Sequence, residues 1–338
     1  MKLNDSRYDR HHLIKEMYEV VDYIKNFEPV NVNDFIGSVP DNTPLMLTGE
    51  GSSRIFPAKN AVHRRLLSDR GPLIFTEGST DLDGKNLDNF VVIGASNSGK
   101  TKELVHLFRK LQNSGHKQLY GLTCNYNSTL ENCSKKTVVI DVGPEKAVAA
   151  TKSVIGQALF YDSLMSKWYD NKILDKNLLA DNFLETLNSS VDSSVIEMIC
   201  KAETVYYTGN NNGAAEELTL KTNEIIRKKS SFLPGTYLLH GVEEVISGND
   251  IIIMVDAYPD EYEKIKEVYS KNIGTPVIAI ATEPSPFNSI IIPSLPDFYE
   301  PYIKLAAGWN LLVETGLELG IDLDKPQRAR KIGNEAIS

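Results

Sequence analysis

The sequence has few cysteines and no long apolar run. Its three cysteines are Cys124, Cys133 and Cys200, and no two of them form a Cys-x-x-Cys pair. Such an odd, scattered set argues against a disulfide framework and against a zinc site. No apolar run approaches the roughly 18 residues of a membrane-spanning helix. The N-terminus also lacks a basic segment followed by an apolar core and a cleavage site, so the sequence predicts a cytoplasmic protein without a membrane segment.

A basic excess is missing as well. The 338 residues include 36 Lys and Arg against 45 Asp and Glu, which gives a net charge of −9. Acidic and basic residues are interspersed, whereas nucleic-acid binding needs a basic face that neutralises phosphates. We therefore expect no nucleic-acid partner, while a local cationic pocket for a small anion stays compatible with this charge. A chain of this length corresponds to about two domains with large buried cores.

Short β-branched runs alternate with segments of helical periodicity. The runs of the first half are LMLTGEGSS (45–53), PLIFT (72–76), FVVIGASNSG (90–99), LYGLTCN (119–125) and TVVIDVG (137–143). A helical region, residues 151–200, separates them from a second series. The second series is TVYYTGNNNG (204–213), DIIIMVD (250–256), PVIAIATE (276–283) and SIIIPSL (289–295). This alternation predicts an α/β fold built from two doubly wound parallel sheets, with the two halves related as a duplicated unit.

The stretch GASNSGKT, residues 94–101, has the letter pattern of a nucleotide-binding P-loop. It lies between a predicted strand, residues 90–93, and a predicted helix, residues 102–112, which is the setting that a P-loop requires. Asp141 ends a later apolar run, as a magnesium-binding aspartate would. A P-loop cradles phosphates mainly with backbone N–H groups, however, whereas hydroxyl side chains dominate this loop. We therefore do not expect an NTPase.

Hydroxyl side chains suit a different anion site. Ser96, Ser98 and Thr101 can each donate to one phosphate at the N-terminus of the following helix. A second pair, Ser52 and Ser53, follows the first strand-like run. Open parallel sheets bind ligands at the carboxyl ends of their strands, so both groups could reach the same anion. The predicted anion site comprises Ser52, Ser53, Arg54, Ser96, Asn97, Ser98, Lys100 and Thr101.

Three stretches in register resemble the SIS (sugar isomerase) family, whose members bind phosphosugars. SNSGKT (96–101) matches the family's Ser-x-Ser-Gly-x-Thr loop, GEGSS (49–53) matches its first-strand motif, and GPEKAVAATKSVIGQ (143–157) resembles a later segment. The resemblance implies two tandem SIS-type domains, each a flavodoxin-like three-layer αβα sandwich. The sequence departs from the family at Lys100, where an acidic residue is usual, and Arg54 adds positive charge near the same site.

The resemblance also gives the domain boundaries that we expect. Residues 1–170 would hold an N-terminal helix and the first SIS domain with its anion-binding serines. Residues 171–200 would form a helical spacer, residues 201–320 the second SIS domain, and residues 321–338 a tail that closes the active site.

Acid–base residues occur in the second half. Glu217, Lys221 and Glu224 lie at i, i+4 and i+7, on one face of a predicted helix. His240 follows Glu224 by sixteen residues. The stretch resembles the isomerase half of glucosamine-6-phosphate synthase and related deglycases, which implies Glu224 as base and His240 as the ring-opening residue. The segment DLDKPQRARK (322–331) resembles the C-terminal tail that closes over the sugar in those enzymes, and this resemblance implies that Lys331 is the tail lysine of the active site.

Each of these assignments has a structural alternative. A helix with Glu217, Lys221 and Glu224 is most often a solvated face with salt pairs. The loop hydroxyls could cap the following helix, and His240 could be a core histidine. His11 and His12 are expected at the surface.

The function expected from all of these features is aldose–ketose isomerisation of an anionic sugar, most simply a 6-phosphate. Ring opening and a C1–C2 proton transfer need a base, Glu224, and a donor such as Lys221 or Lys331 for the enediol. Lys331 could instead form a Schiff base with a ketose. We expect neither a cofactor nor a metal, and the resemblance implies a homodimer with active sites at the subunit interface.

Four alternatives stay open, of which the first two use the same base and ring-opening residue. These are a fructosamine-6-phosphate deglycase, an amino-sugar-6-phosphate deaminase, an isomerase of a sulfonated sugar, and a sugar-phosphate sensor without catalysis. Since no cysteine precedes Cys124, we do not expect ammonia release from glutamine.

Overall fold

The computed structural model describes residues 1–3, 5–29, 34–35, 37, 42–68, 70–166, 175–256, 258–330 and 334–336. The chain divides into two compact units, and each contains one five-stranded parallel sheet. The first-sheet unit comprises residues 22–145, 150–177 and 330–338, and the second-sheet unit comprises residues 1–21, 146–149 and 178–329. The predicted α/β class with parallel sheets is therefore confirmed.

In the first-sheet unit, strands and helices alternate along the chain. Its elements follow the end of α1 (His12–Asn26), and they are β1 (Leu45–Gly49), α2 (Ile55–Leu66), β2 (Ile74–Gly78), β3 (Val91–Ser96), α3 (Lys102–Asn113), β4 (Leu119–Thr123), α4 (Thr129–Asn132), β5 (Lys136–Val139) and α5 (Lys152–Met165). The strands are arranged in the order β2-β1-β3-β4-β5. The order changes direction between β1 and β3, which makes this pair the switch point of the sheet.

Helices cover both faces of this sheet. Alternate strand residues point to opposite faces. Leu47 and Ile93 belong to a buried cluster with Ala58 of α2 and Phe160 of α5, whereas Val92 belongs to a second cluster with side chains of α3. The strands are apolar on both sides for this reason, which is the pattern expected of a buried parallel sheet.

The second-sheet unit repeats the strand order of the first. Its elements are α6 (Lys176–Asn188), which begins at the end of the first-sheet unit, then α7 (Ser193–Lys201), β6 (Thr204–Gly209), α8 (Ala214–Lys221), β7 (Lys229–Pro234), β8 (Ile251–Met254), α9 (Tyr262–Ile265), β9 (Val277–Ala281), β10 (Asn288–Ile291) and α10 (Glu300–Glu318). The strands run β7-β6-β8-β9-β10. Each strand occupies the place of the strand five numbers earlier, and β6 and β8 form the second switch point.

Strand β7 is the element that the sequence analysis missed. Its sequence KSSFLP contains two serines and a terminal proline, and it lacks the apolar run by which the other strands were found. β7 lies at the edge of the sheet and pairs only with β6. An edge strand need not be apolar on both faces, and a proline is tolerated at its end.

The predicted domain boundaries stay a prediction. The compact units group the chain differently from residues 1–170, 171–200, 201–320 and 321–338, since the second-sheet unit includes residues 1–21 and most of the helices of the predicted spacer. Helices α6 and α7 in that region agree with its helical periodicity.

The expectation that His11 lies at the surface is wrong. Its side chain is 5% exposed, and burial lowers the pKa of His11 although Asp324 opposes the shift. Asp324 accepts hydrogen bonds from the backbone N–H groups of His12 and Leu13, both at 2.8 Å, and so caps the start of α1. Asp324 lies far from α1 in sequence, so the spacing of residues near α1 could not predict this cap. His12 is exposed, as expected.

Replacing Gly308 by alanine should destabilise the second-sheet unit, although alanine is the better helix former. A Cβ atom at this position of α10 would lie 2.2 Å from Cδ2 of the fully buried Leu218. Overpacking costs about 1–3 kcal/mol, which exceeds the gain in helix propensity of about 1 kcal/mol. We expect urea denaturation of Gly308→Ala to show a free energy of unfolding lower by about 1 kcal/mol.

The double mutant Gly308→Ala, Leu218→Ala is the matched control. Removing the leucine side chain makes room for the new methyl group. The double mutant should therefore lose less stability than the sum of the losses in the two single mutants. Strict additivity, or a more stable Gly308→Ala protein, would contradict the close approach of α10 to α8.

Candidate functional site

The two predicted serine groups follow adjacent strands. β1 pairs with β3, and Gly49 at the end of β1 is in register with Ala95. A Cβ atom at Gly49 would lie 2.7 Å from the carbonyl oxygen of Ala95, so only glycine permits this approach. The segments beyond these positions, residues 51–54 and 96–101, therefore begin side by side at the switch point of the first sheet, where open α/β sheets bind ligands.

The first segment is a short turn that leads into α2. Gly51–Ser53 forms a single 3₁₀ turn, and Ser52, Ser53 and Arg54 are half-buried. The side-chain amide of Gln157 in α5 donates to Ser53 Oγ at 3.4 Å. A cation and two hydroxyl groups thus share one turn at the carboxyl end of β1.

The second segment, residues 96–101, is called the serine loop below. Ser96 is fully buried, and its Oγ lies 2.7 Å from Thr101 Oγ1 and accepts the N–H of Gly99 at 3.0 Å. Ser98 Oγ accepts the N–H of Lys100 at 3.1 Å. The contact between Ser96 and Thr101 uses only one of their two O–H groups. The loop is therefore braced by its own hydroxyls and keeps donors for an anion.

Gly99 fixes the shape of the serine loop. Its φ of +64° is in the left-handed region, and a Cβ atom would lie 2.4 Å from the Cβ atom of Ser128. The N–H of Leu130 donates to the Gly99 carbonyl oxygen at 2.8 Å. Backbone conformation and packing thus both require glycine at this position.

The P-loop alternative does not fit this geometry. Gly94, the first glycine of the octet, lies inside β3, and a Cβ atom there would lie 2.6 Å from Leu104 and Phe108 of α3. It serves strand–helix packing, and only residues after Ser96 form a loop. Asp141 follows β5, which is separated from β3 by β4. Two strand spacings correspond to roughly 10 Å, too far for one magnesium ion to join Asp141 to the loop.

Glu145 supports the serine loop and was not singled out from the sequence. Its carboxylate accepts the side-chain N–H of Asn97 at 3.0 Å, the backbone N–H of Thr151 at 2.8 Å and the hydroxyl of Ser153 at 2.9 Å. One carboxylate thus fixes Asn97 and caps the start of α5. Glu145 lies within GPEKAVAATKSVIGQ (143–157), and the resemblance of that stretch to the family could have pointed to it.

The C-terminal segment pairs with the serine loop. Lys102 donates its backbone N–H to the Asn334 carbonyl oxygen at 3.1 Å, and Ala336 donates its own to Lys100 at 2.8 Å. Thr101 and Glu335 form an antiparallel bridge between these bonds. Lys331, the predicted tail lysine, lies outside the described residues.

In the second-sheet unit, Lys221 joins two glutamates. Its Nζ lies 3.1 Å from Glu217 Oε1 and 2.8 Å from Glu224 Oε2. The side chains of Lys221 and Glu217 are 0% exposed, and that of Glu224 is 22% exposed. The solvated helix face that is usual for this spacing is therefore not what forms here. The structure brings the three residues into one buried cluster from which only Glu224 keeps access to solvent.

The local backbone sets this arrangement. α8 ends at Lys221 and continues as the π-helical turn Thr222–Ile226, so Glu224 does not stand on a continuous α-helix. Such turns are rare and occur frequently at functional sites. Burial by itself lowers the pKa of Lys221, but the attraction of Glu224 and Glu217 outweighs it and the pKa is raised. Lys221 is accordingly a permanent cation that directs Glu224.

His240 is exposed and follows the 3₁₀ turn Tyr237–Leu239. Its backbone N–H donates to Tyr237 at 3.0 Å. It is therefore not a core histidine. Among the described residues it makes no contact with Glu224, so its predicted role and that of Lys331 stay predictions.

One cluster has the composition of a metal site. Ligand atoms of His11, Asp322 and Asp324 lie within 4.8 Å of one another. Arg10 Nε donates to His11 Nε2, however, and both Asp324 oxygens accept N–H groups of α1. His11 and Asp324 thus already have hydrogen-bond partners in the fold, and we assign the cluster to the capping of α1. No helix in the described ranges is long and apolar enough to cross a membrane.

Replacing Lys221 by methionine should strongly destabilise the protein. The change leaves two carboxylates together, one of them fully buried, and removing one partner of a buried ion pair typically costs about 3–5 kcal/mol. Urea denaturation at neutral pH would measure the loss. The double mutant Glu217→Gln, Lys221→Met removes the buried charge and should recover part of this stability. If both proteins lose the same amount, the ion pairs are not the cause.

Deleting residues 334–338 should expose the start of α3. The Lys102 amide loses its acceptor, and one hydrogen bond of about 1 kcal/mol corresponds to roughly fivefold faster hydrogen exchange. The amide of Val105 is the internal control because it donates to Thr101 at 3.0 Å. Unchanged exchange at Lys102, or an equal change at both amides, would contradict a specific pairing of the tail with the serine loop.

Comparison with known proteins gives one family match, in which the model of the SIS domain matches residues 86–167. The chain is also 24% identical over 348 residues to the glutamine–fructose-6-phosphate aminotransferase [isomerizing] of Methanocaldococcus jannaschii, with 95% of this chain and 31% of that protein covered. It is 25% identical to the protein of the same name from Sulfolobus acidocaldarius, with 95% and 56% covered. The chain thus spans roughly a third to a little over half of these relatives.

Solved structures share the fold at low sequence identity. The C-terminal domain of glucosamine-fructose-6-phosphate aminotransferase from Francisella tularensis superposes with a TM-score of 0.76 at 18% identity, covering 94% of this chain and 98% of that one. Tagatose-6-phosphate ketose/aldose isomerase from Escherichia coli gives 0.73 at 18% identity, with 97% and 99% covered. Glucosamine-6-phosphate deaminase from Thermotoga maritima gives 0.73 at 18% identity, with 96% and 99% covered.

The family match includes β3, the serine loop and α5, which are the elements that form one edge of the candidate site. The serine loop and the GPEKAVAATKSVIGQ stretch, on which the resemblance was partly based, both lie within the matched residues. The prediction from the sequence motifs is confirmed for this part of the chain: residues 86–167 match the SIS domain.

Proposed function

We propose that this protein is an isomerase that interconverts an aldose and a ketose bearing a terminal anion, most simply a 6-phosphate. The observation that carries the proposal is the buried cluster around Lys221, from which Glu224 alone is accessible. A carboxylate held in one orientation by a buried cation is what a general base for C1–C2 proton transfer requires. In this proposal the two units are tandem SIS domains with the boundaries given by the sequence.

The anion binds to the serine loop and to the turn after β1. Ser96, Ser98 and Thr101 supply hydroxyl donors, Ser52 and Ser53 supply two more, and Asn97 is oriented by Glu145. Arg54 and Lys100 add positive charge to balance a dianion. Backbone N–H groups at the start of α3 favour negative charge at the same place.

The chemical step moves one proton between two carbons of the open-chain sugar. Glu224 takes the proton from C2 of the aldose, the electron pair of the broken C–H bond forms the C1–C2 double bond, and the carbonyl electron pair moves to O1. Protonation of C1 by the same carboxyl group, together with passage of the O2 proton to O1, restores a carbonyl group at C2 and gives the ketose. Lys221 holds Glu224 in one orientation through the 2.8 Å contact between Nζ and Oε2, so we assign Lys221 as a positioning residue for the base. Direct donation from Lys221 to the enediol, which the sequence analysis expected of Lys221 or Lys331, stays a prediction.

Three further assignments complete the proposal. His240 opens the ring by transferring a proton to the ring oxygen, and its exposure suits a contact with a sugar. Lys331 stabilises the enediol or forms a Schiff base with the ketose. The protein acts in the cytoplasm as a homodimer with sites at the subunit interface, where His240 reaches the neighbouring subunit's site.

Deglycation and deamination are the closest alternatives. The names of the similar proteins include an aminotransferase that isomerises, a ketose/aldose isomerase and a deaminase, and each reaction uses the same enediol-type proton transfer. Ammonia or free amino acid among the products distinguishes these alternatives from isomerisation. Saturable binding without proton exchange would instead indicate a sensor.

Incubating the protein in D2O with a panel of sugar and amino-sugar 6-phosphates should incorporate deuterium at C1 or C2 of one member. Proton NMR follows the exchange. Glu224→Gln should slow it by about 10²–10⁴-fold, which is the usual contribution of a general base. Ser98→Ala is the comparison for anion binding, and it should raise KM with little effect on kcat, because Ser98 contacts the part of the substrate that does not react.

Exchange that persists in Glu224→Gln would reject this base. A fall of kcat without a rise of KM in Ser98→Ala would reject the placement of the anion. Exchange that requires ATP and magnesium would reject the whole reaction class in favour of nucleotide chemistry.

A further inference from the structure

A cavity of about 480 Å³ opens at the carboxyl edge of the second sheet. Its lining includes Asn210 after β6, Asp256 after β8 and Glu283 after β9. β6 and β8 are the strands between which the order changes direction, so the cavity occupies the position that the serine loop has in the first sheet. Ligands of open α/β sheets bind at this topological position.

The charged groups of this cavity are built into the fold. Lys304 of α10, which is 8% exposed, donates to Asp256 Oδ1 at 2.7 Å and to Glu300 Oε2 at 2.8 Å. Asp256 is 4% exposed, and its Oδ2 accepts the N–H of Asn210 at 2.9 Å. A Cβ atom at Gly209 would lie 2.8 Å from that oxygen, so the strand end is shaped around the carboxylate.

The charge of the cavity is opposite to that of the serine loop. Asp256, Glu283 and Glu300 contribute three negative charges, and Lys304 contributes one positive charge. Burial by itself lowers the pKa of Lys304, but the attraction of Asp256 and Glu300 outweighs it and the pKa is raised, so the lysine stays charged. A net charge of about −2 in a partly enclosed cavity repels a sugar phosphate and attracts a cation.

Polar groups beyond the carboxylates suit hydroxyls. Lys304 has three N–H donors, and its bonds to Asp256 and Glu300 account for two of them among the described residues. Tyr262 adds a ring to the lining, held edge-on against Phe287 with the ring centroids 5.7 Å apart. The cavity therefore combines acceptors, a donor and an apolar face.

We propose that this cavity is a second binding site, distinct from the serine loop, that takes a small hydroxylated amine without a phosphate group, such as an amino sugar. The ammonium group binds at Glu283 and Glu300, and the ring hydroxyls bind at Asp256, Asn210 and Lys304. The site lies wholly within the second-sheet unit and does not depend on the reaction proposed above.

Isothermal titration calorimetry at pH 7 with glucosamine, glucose and glucose 6-phosphate tests the proposal. We expect binding of glucosamine, at least tenfold weaker binding of the neutral glucose, and no binding of glucose 6-phosphate that depends on this cavity. Glu283→Gln should weaken glucosamine binding about threefold to tenfold, and it should leave folding intact because Glu283 is exposed. Glu263→Gln, on α9 outside the lining, removes the same charge and should leave binding unchanged.

The variant Ser98→Ala distinguishes the two sites, because it changes the serine loop and leaves the cavity unaltered. It should bind glucosamine with the affinity of the unchanged protein. Equal affinity for glucose and glucosamine, or equal binding by Glu283→Gln and the unchanged protein, would overturn the proposal. Isotope exchange on sugar phosphates is measured in the same preparations. Exchange without glucosamine binding rejects the second site alone, and glucosamine binding without exchange rejects the proposed isomerase alone.

Discussion

The order of strands in the two parallel sheets decides which loops of this protein can meet. In both sheets the first strand lies next to the edge, the second strand forms the edge, and the third strand pairs with the other side of the first. This order gives one switch point per sheet. In the first sheet that constraint places the turn after β1 beside the serine loop, although more than forty residues separate them in sequence. Gly49 is needed because the backbones of β1 and β3 approach closely there, and Gly99 because of its left-handed φ and its packing against Ser128.

Buried charge gives the second-sheet unit its chemical character. Burying an ion pair is expensive unless its geometry satisfies every partner. Lys221 offsets part of this cost by contacting two glutamates, and Lys304 does so by contacting an aspartate and a glutamate. In each cluster a lysine is enclosed, while at least one carboxylate keeps some exposure. Such clusters hold carboxylates in fixed orientations, which is the property that the proposed base and the proposed amine site both use.

The two switch points have the same topology and opposite chemistry. The first is lined by hydroxyls with Arg54 and Lys100 nearby, and the second by three carboxylates around Lys304. A duplicated fold fixes where a ligand can bind, whereas the side chains at the strand ends fix which charge it carries. In our proposals the two sheets therefore bind two ligands of different charge.

Local patterns in the sequence determined the α/β class, the positions of nine strands and the serine loop, because strand and helix periodicity and turn chemistry depend on neighbouring residues. They did not reveal β7, whose edge position removes the need for an apolar run, nor the cap that Asp324 places on α1. The burial of Glu217 and Lys221, which turns a commonplace salt-pair spacing into a candidate catalytic cluster, was decided only by tertiary packing. Burial depends on residues distant in sequence, and the same spacing on a solvated helix would have no such consequence.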